Sequence, residues 1–298
     1  MDFSSLFSFL DKHGIKYKKC VKTASLVSIK IGGIASIVVY PDTLEQLCYI
    51  VKFINNKFKY FILANGTNTF FCDYYDGVVI LTRNIKKICL SENEIIAECG
   101  VSLTECAMYA YENSLCGMEF AYGIPGTIGG GVYINASAYN GAMSNIVKEC
   151  LVYDIKNDSI YTLKNKDIRF SNKNSIFINR EYVILNARLS LSFGTQNNIK
   201  PLMESYIKKR VLTQPLNLPS AGSVFKRPKN NYASKLIDDA GLKGYCIGEA
   251  QISTKHAGFI INKGNATPKD MNDLIKFVKS EIKRKFNINL EEEIIYVE

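Results

Sequence analysis

The order of local signals and two glycine-bearing loops predict an α+β protein rather than a doubly wound α/β one. Apolar strand-like runs and amphipathic helical runs interleave in mixed order, without an internal repeat or a low-complexity linker. Neither loop fits the Gly-x-Gly-x-x-Gly pattern that opens a βαβ helix, and neither ends in the Lys-Ser/Thr of a nucleotide P-loop. At 298 residues and 47% hydrophobic content, the chain can bury a sizeable core and should hold roughly two domains.

Taken along the chain, the first strand-like run spans 34–40. Asp42-Thr43-Leu44-Glu45 then reads as a capping box with Asp42 in the cap position. Leu44, Leu47, Cys48, Val51 and Ile54 fall on one face of the helix it opens. Further strand-like runs lie at 60–63, 78–82, 95–98, 150–153, 181–190 and 258–262. Thr267-Pro268 is a cap followed by proline at the first helical position, and Met271, Leu274, Ile275, Val278 and Ile282 form the apolar stripe behind it.

Composition removes several function classes. The nine cysteines are odd in number, scattered and without a Cys-x-x-Cys, which predicts reduced thiols in a cytosol rather than a disulfide framework. Only His13 and His256 exist, so no zinc-hydrolase arrangement is possible and no metal is expected. The start Met1-Asp2-Phe3-Ser4-Ser5 lacks the features of a signal peptide, and no apolar run approaches the ~18 residues of a membrane span. A soluble, cytoplasmic protein is expected, without a membrane partner. The formal charge of +9 favours anionic ligands. Its lysines are dispersed, as in Lys164-Asn165-Lys166, and are not interleaved with stacking aromatics, which argues against a nucleic-acid partner.

The most informative stretch is 117–131, where six glycines and a proline interrupt an apolar run. A regular helix or strand has no use for them, so a loop is expected. Glycine permits positive φ and close backbone approach, and such a loop can aim several amides at one anion. Leu63-Ala64-Asn65-Gly66-Thr67-Asn68 is a second loop of this kind, following Tyr60-Phe61-Ile62. Two separated backbone cradles point to a large cofactor held outside a Rossmann fold.

Six ordered blocks resemble the UDP-N-acetylenolpyruvoylglucosamine reductase family in its short form. They are Ile31-Gly32-Gly33-Ile34-Ala35; Asn65-Gly66-Thr67-Asn68; Gly123-Ile124-Pro125-Gly126-Thr127 with its continuation Asn135-Ala136-Ser137-Ala138-Tyr139; Pro219-Ser220-Ala221-Gly222-Ser223-Val224-Phe225-Lys226; Lys235-Leu236-Ile237-Asp238-Asp239-Ala240-Gly241-Leu242-Lys243-Gly244; and Leu290-Glu291-Glu292-Glu293-Ile294. The last three separate this family from other flavoproteins, including oxidases of the vanillyl-alcohol type. The resemblance implies a two-lobed FAD-binding module of the vanillyl-alcohol-oxidase/PCMH type plus a C-terminal α+β substrate domain. The lobes are expected at 1–75 and 76–192 and the substrate domain at 193–290, with the 291–298 tail returning to the first lobe.

The implied activity is NADPH-dependent, FAD-mediated reduction of UDP-N-acetylglucosamine enolpyruvate to UDP-N-acetylmuramate, a step toward peptidoglycan. The protein would take a small UDP-sugar and work as a monomer. The expected FAD contacts are Gly32, Gly33, Asn65, Gly66, Thr67, Asn68, Gly123, Ile124, Pro125, Gly126, Thr127, Gly129, Gly130, Asn135 and Ala136. Ser223 matches the family's proton donor and Glu293 its catalytic glutamate. Lys226, Arg227 and Lys243 are the expected substrate-binding cations. The third catalytic position departs from the family: Tyr-Arg-x-Ser-x-Phe becomes Asn172-Lys173-Asn174-Ser175-Ile176-Phe177. Lys173 keeps the charge and loses the planar fork. Three readings follow: a slower enzyme, a site in which Arg169 or Arg180 supplies the guanidinium, or a catalytically silent UDP-sugar-binding homologue.

Overall fold

The computed structural model describes residues 2–298 and divides into two compact units, each assembled from separate stretches of chain. The first holds residues 2–18, 37–65 and 77–208; the second holds 19–36, 66–76 and 209–298. Unit boundaries fall inside the strands Lys16–Lys22, Ile34–Tyr40 and Tyr74–Leu81 and inside the helix Gln196–Thr213.

In the first unit, the strand Tyr60–Leu63 runs parallel to Tyr74–Leu81, pairing Tyr60 with Val78 and Leu63 with Leu81. The helix Leu44–Ile54 buries Leu47, Ile50, Val51 and Ile54 in one cluster with Ile37, Val39, Val78 and Ile80. Its cap is Thr43, whose hydroxyl accepts from the Gln46 amide, and not Asp42 as expected. Asp42 is instead held by Asn84 and Lys16, which pull its carboxyl below the usual range. A threonine one residue nearer the first helical turn reaches the orphan amides, so it takes the cap.

This unit also holds a five-stranded antiparallel sheet. Its strands run in the order Ser159–Lys164, Val147–Asp154, Tyr182–Ser190, Glu94–Glu98 and Ile88–Ser91. The helix Leu103–Glu112, capped by Ser102, buries Leu103, Cys106, Ala107 and Ala110 in the same cluster as Ile95 and Ala97 of this sheet.

In the second unit, Ser220–Ser223, Phe259–Asn262, Ala250–Ile252 and Cys246–Ile247 form a four-stranded antiparallel sheet. The helix Pro268–Phe286 starts at the capping box of Thr267 and Asp270 and buries Met271, Leu274, Ile275, Val278 and Ile282. Strand Ile295–Val297 pairs in parallel with Thr69–Phe71, so the chain's end lies beside residues that follow the Asn65-Gly66-Thr67-Asn68 loop. No helix among the described residues is long and apolar enough to cross a membrane.

Candidate active site

The glycine-rich stretch contains a helix, Ile128–Tyr133, where the sequence predicts only loop. Close packing explains glycine inside it. A Cβ on Gly129 would lie 2.9 Å from Cys99 Cβ and 3.0 Å from Cys99 O, and one on Gly131 would lie 3.2 Å from the Leu103 side chain. Thr127 caps the helix by accepting from the Gly130 amide at 3.2 Å. Cys99, beneath it, is buried, and burial pushes its thiol up to about 12, so it is inert at neutral pH.

Most amides of this stretch are already committed. Gly123 N donates to Thr104 Oγ1, Ile124 N to Ala121 O, Ile128 N to Val101 O and Gly129 N to Cys99 O. Leu103 N in turn donates to Gly126 O. Among the described residues, the amides of Gly126 and Thr127 donate to no protein acceptor. Asn65 belongs to the same unit and ties its own loop to this one, donating from Nδ2 to Pro125 O at 3.3 Å. Arg83 supports the loop from behind, its Nε donating to Ala64 O at 2.9 Å. Burial holds the Arg83 guanidinium below its ordinary pKa, against the nearby Tyr40.

The amides of Asn65, Gly66, Thr67 and Asn68 likewise donate to no protein acceptor among the described residues. Amides without protein acceptors are available to an anion. Gly66 has φ +60°, and its Cβ position lies 2.6 Å from Leu26 O, so only glycine fits.

Gly32 and Gly33 are spoken for by chain packing within the second unit. A Cβ on Gly33 would fall 1.7 Å from Asp73 O, and Gly33 N donates to Cys72 O. Thr23 donates to Gly33 O from both its amide and its hydroxyl.

Lys173 sits at the tip of a turn in which Ser171 and Asn174 exchange backbone hydrogen bonds. Two side chains dock this turn on the end of the Ile128–Tyr133 helix. Asn135 Nδ2 donates to Ser171 O at 3.0 Å, and the buried Ser175 hydroxyl donates to Tyr133 O at 2.6 Å. Asn135 Oδ1 also accepts from the Ser144 amide, so its side chain is occupied in placing Lys173. Ala136 is buried. Of the two alternative arginines, Arg180 lies over the Phe61 ring at 5.4 Å, while Arg169 is exposed at the end of a short helix.

In the second unit the structure brings Ser223 and Glu293 to adjoining backbone. Glu293 N donates to Val224 O at 2.7 Å, Lys226 N donates to Glu291 O, and Phe225 bridges Glu292. Ser223 is exposed and Glu293 half-buried. Lys226 pairs with Glu291 at 3.4 Å, Lys243 with Asp238 at 2.7 Å, and Lys279 with Glu292 at 2.8 Å. The Arg227 guanidinium lies 3.9 Å from the Tyr232 ring centroid. His256 Nδ1 accepts from the Gly258 amide, and Gly258 O accepts from Val224 N, one residue after Ser223.

The sequence reading missed Arg83, Ser28 and the docking roles of Asn135 and Ser175. Their signal is tertiary, since each bonds a carbonyl remote or unremarkable in sequence. The buried Asn262, which donates to Ile29 O and Lys30 O, was missed for the same reason.

Comparison with known proteins places these features in context. Residues 35–163 match the family model described as FAD binding domain, and residues 214–297 match that described as UDP-N-acetylenolpyruvoylglucosamine reductase, C-terminal domain. The curated UDP-N-acetylenolpyruvoylglucosamine reductase of Clostridium novyi is 42% identical over 97% of this chain and 94% of its own. That of Clostridium tetani is 40% identical over 99% and 95%. The crystal structure of the reductase of this name from Thermus caldophilus superposes with a TM-score of 0.81 at 26% identity, covering 95% of this chain and 99% of that one.

Proposed function

Because the chain belongs to the UDP-N-acetylenolpyruvoylglucosamine reductase family, we propose that it reduces UDP-N-acetylglucosamine enolpyruvate to UDP-N-acetylmuramate in peptidoglycan precursor synthesis. It does so with FAD as cofactor and NADPH as reductant. The observation that carries this reading is the backbone bond from Glu293 N to Val224 O, which brings the backbone beside Ser223 against that of Glu293.

FAD fits the residues present. Within the first unit the acceptor-free amides of Gly126 and Thr127 suit its diphosphate, and Gly130 leaves its Cβ side to ordinary contact, 3.5 Å from Thr127 Oγ1. Bound there, FAD supplies the hydride chemistry, from NADPH to the enolpyruvyl double bond. The protein's share is to bind, orient and protonate. Ser223 donates the proton that completes reduction; its hydroxyl is a weak acid, so it serves a strongly basic enolate carbon. Glu293 polarises the enolpyruvyl carboxyl group, and the Lys173 ammonium offsets the negative charge that grows there. Lys226, Arg227 and Lys243 hold the nucleotide diphosphate. Their ion pairs with Glu291 and Asp238 are solvent-exposed and worth at most about 1 kcal/mol, so a phosphate displaces them readily.

We assign the flavin-binding lobes to 1–75 and 76–192 and the substrate domain to 193–290, with the 291–298 tail returning to the first lobe. The nine cysteines are free thiols, in accord with a reducing compartment, and we place the enzyme in the cytoplasm as a monomer.

The test is anaerobic visible absorbance of the FAD-loaded protein during addition of NADPH and then of the enolpyruvyl substrate. Bleaching followed by recovery is expected. Bleaching without recovery would reject the enolpyruvyl half of the proposal, and failure to bleach would reject it altogether.

A further inference from the structure

We propose that Ser28 is a positioning residue for proton delivery: its hydroxyl locks the strand that carries Ser223 to the loop of acceptor-free amides. The inference rests on the reading above, in which Ser223 is the proton donor. Ser28 lies nearly 200 residues before Ser223, in a segment between the Thr23–Ser25 turn and the Ile34–Tyr40 strand.

The geometry is a closed ring of hydrogen bonds inside the second unit. Ser28 N donates to Gly66 O at 3.0 Å, and Ser28 Oγ donates to Ser220 O at 2.6 Å. From Ser220 the chain runs through Ser223 to Val224, whose carbonyl accepts from Glu293 N at 2.7 Å. Glu293 O then accepts from Asn68 Nδ2 at 3.0 Å, and Ile295 N donates to Asn68 O at 2.9 Å. Residues 66–68 close the ring. Only two side chains, Ser28 and Asn68, take part; every other group is backbone.

One arc of the ring is irregular, and that arc carries Ser223. Ser220 pairs with Ile261 while Ser223 pairs with Phe259, so the strand holds one residue more than its partner. Gly222 takes up the excess at φ +73°. A bulge re-aims a side chain, and its aim is defined only when both ends are held. The C-terminal end is held twice, by Val224 N to Gly258 O and Glu293 N to Val224 O. At the N-terminal end, Ser28 adds a side-chain tether to Ser220's strand pairing. Asn262, 1% exposed, independently fastens the neighbouring strand to residues 29 and 30. Removing the Ser28 hydroxyl therefore loosens the bulge without undocking the sheet.

The test compares wild type with Ser28→Ala and Ser28→Thr, each FAD-loaded, by anaerobic stopped-flow absorbance of the two half-reactions. In Ser28→Ala, reoxidation by the enolpyruvyl substrate is expected to slow about tenfold or more, as small misplacements of reacting groups do. Reduction by NADPH and the FAD Kd, from fluorescence titration of apoprotein, should stay within about twofold, since the Ser28 amide, which holds Gly66 O at 3.0 Å, is retained in the variant. Hydrogen exchange should quicken in 220–224, and Ser28→Thr should restore both rate and protection. Equal losses in both half-reactions, weaker FAD binding, unaltered reoxidation or unaltered exchange would each overturn the inference. A wild type that is never reoxidised would instead overturn the functional reading, while exchange would still report on the tether.

Discussion

Lys173 shows how much one residue depends on its neighbours. It holds φ +53° in a region that non-glycine residues rarely occupy, and the Asn135 and Ser175 bonds keep the turn in that state. Lysine offers a point charge where a guanidinium grips a carboxylate with two parallel bonds. Lys173→Arg should raise turnover by about three- to tenfold, an increment of roughly 1 kcal/mol in transition-state stabilisation. An unchanged or lower kcat rejects the idea that lysine is the weaker substitute. His256 carries a pH prediction. Burial, with Lys243 adding to it, holds its pKa below the ordinary value of 6.5, against its own backbone bond. A depressed value in the folded state means the unfolded chain binds the proton more readily. Stability is therefore complete above about pH 6.5 and falls as pH drops through the folded-state value. Urea midpoints from pH 8 to pH 5 should decline more for wild type than for His256→Gln; parallel curves would exclude His256 as the cause.

At the scale of elements, the Ile128–Tyr133 helix separates two uses of glycine. Gly129→Ala would gain up to about 1 kcal/mol of helix propensity but must fit a Cβ 3.0 Å from Cys99 O, and overpacking costs about 1–3 kcal/mol. Net destabilisation is expected, read as a lower urea midpoint. Gly130→Ala meets nothing closer than 3.5 Å and should hold or raise stability while weakening FAD binding. Equal stability effects from the two would refute this division. The helices Leu44–Ile54 and Pro268–Phe286 were legible because each has a capping residue and a continuous apolar stripe. The helix Gln196–Thr213 was not, because Pro201 interrupts its first turns and few of its residues recur on an apolar face. The strands at 34–40, 60–63 and 181–190 were legible as apolar runs, and they appear as Ile34–Tyr40, Tyr60–Leu63 and Tyr182–Ser190.

At the scale of the molecule, the match to an FAD binding domain predicts that FAD is a stabilising ligand. FAD at a hundred times its Kd should stabilise the fold by about 2.7 kcal/mol, seen as a rise of several degrees in thermal midpoint. No rise at saturating FAD would contradict the assigned cradle. The α+β class and the six family blocks were legible in the sequence, because glycine spacing, caps and apolar periodicity are local properties that the chain carries wherever it folds. Gly32 and Gly33 became candidates through the family resemblance, and at Gly33 a further constraint is tertiary: a Cβ there would fall 1.7 Å from Asp73 O, 40 residues on. What tertiary structure alone decided is which residues hold the chemistry in place: Arg83 behind Ala64, Asn135 and Ser175 under the Lys173 turn, and Ser28 against Ser220. Each acts through a hydrogen bond to a distant backbone carbonyl, and every residue has such a carbonyl, so the partner leaves no mark in the sequence.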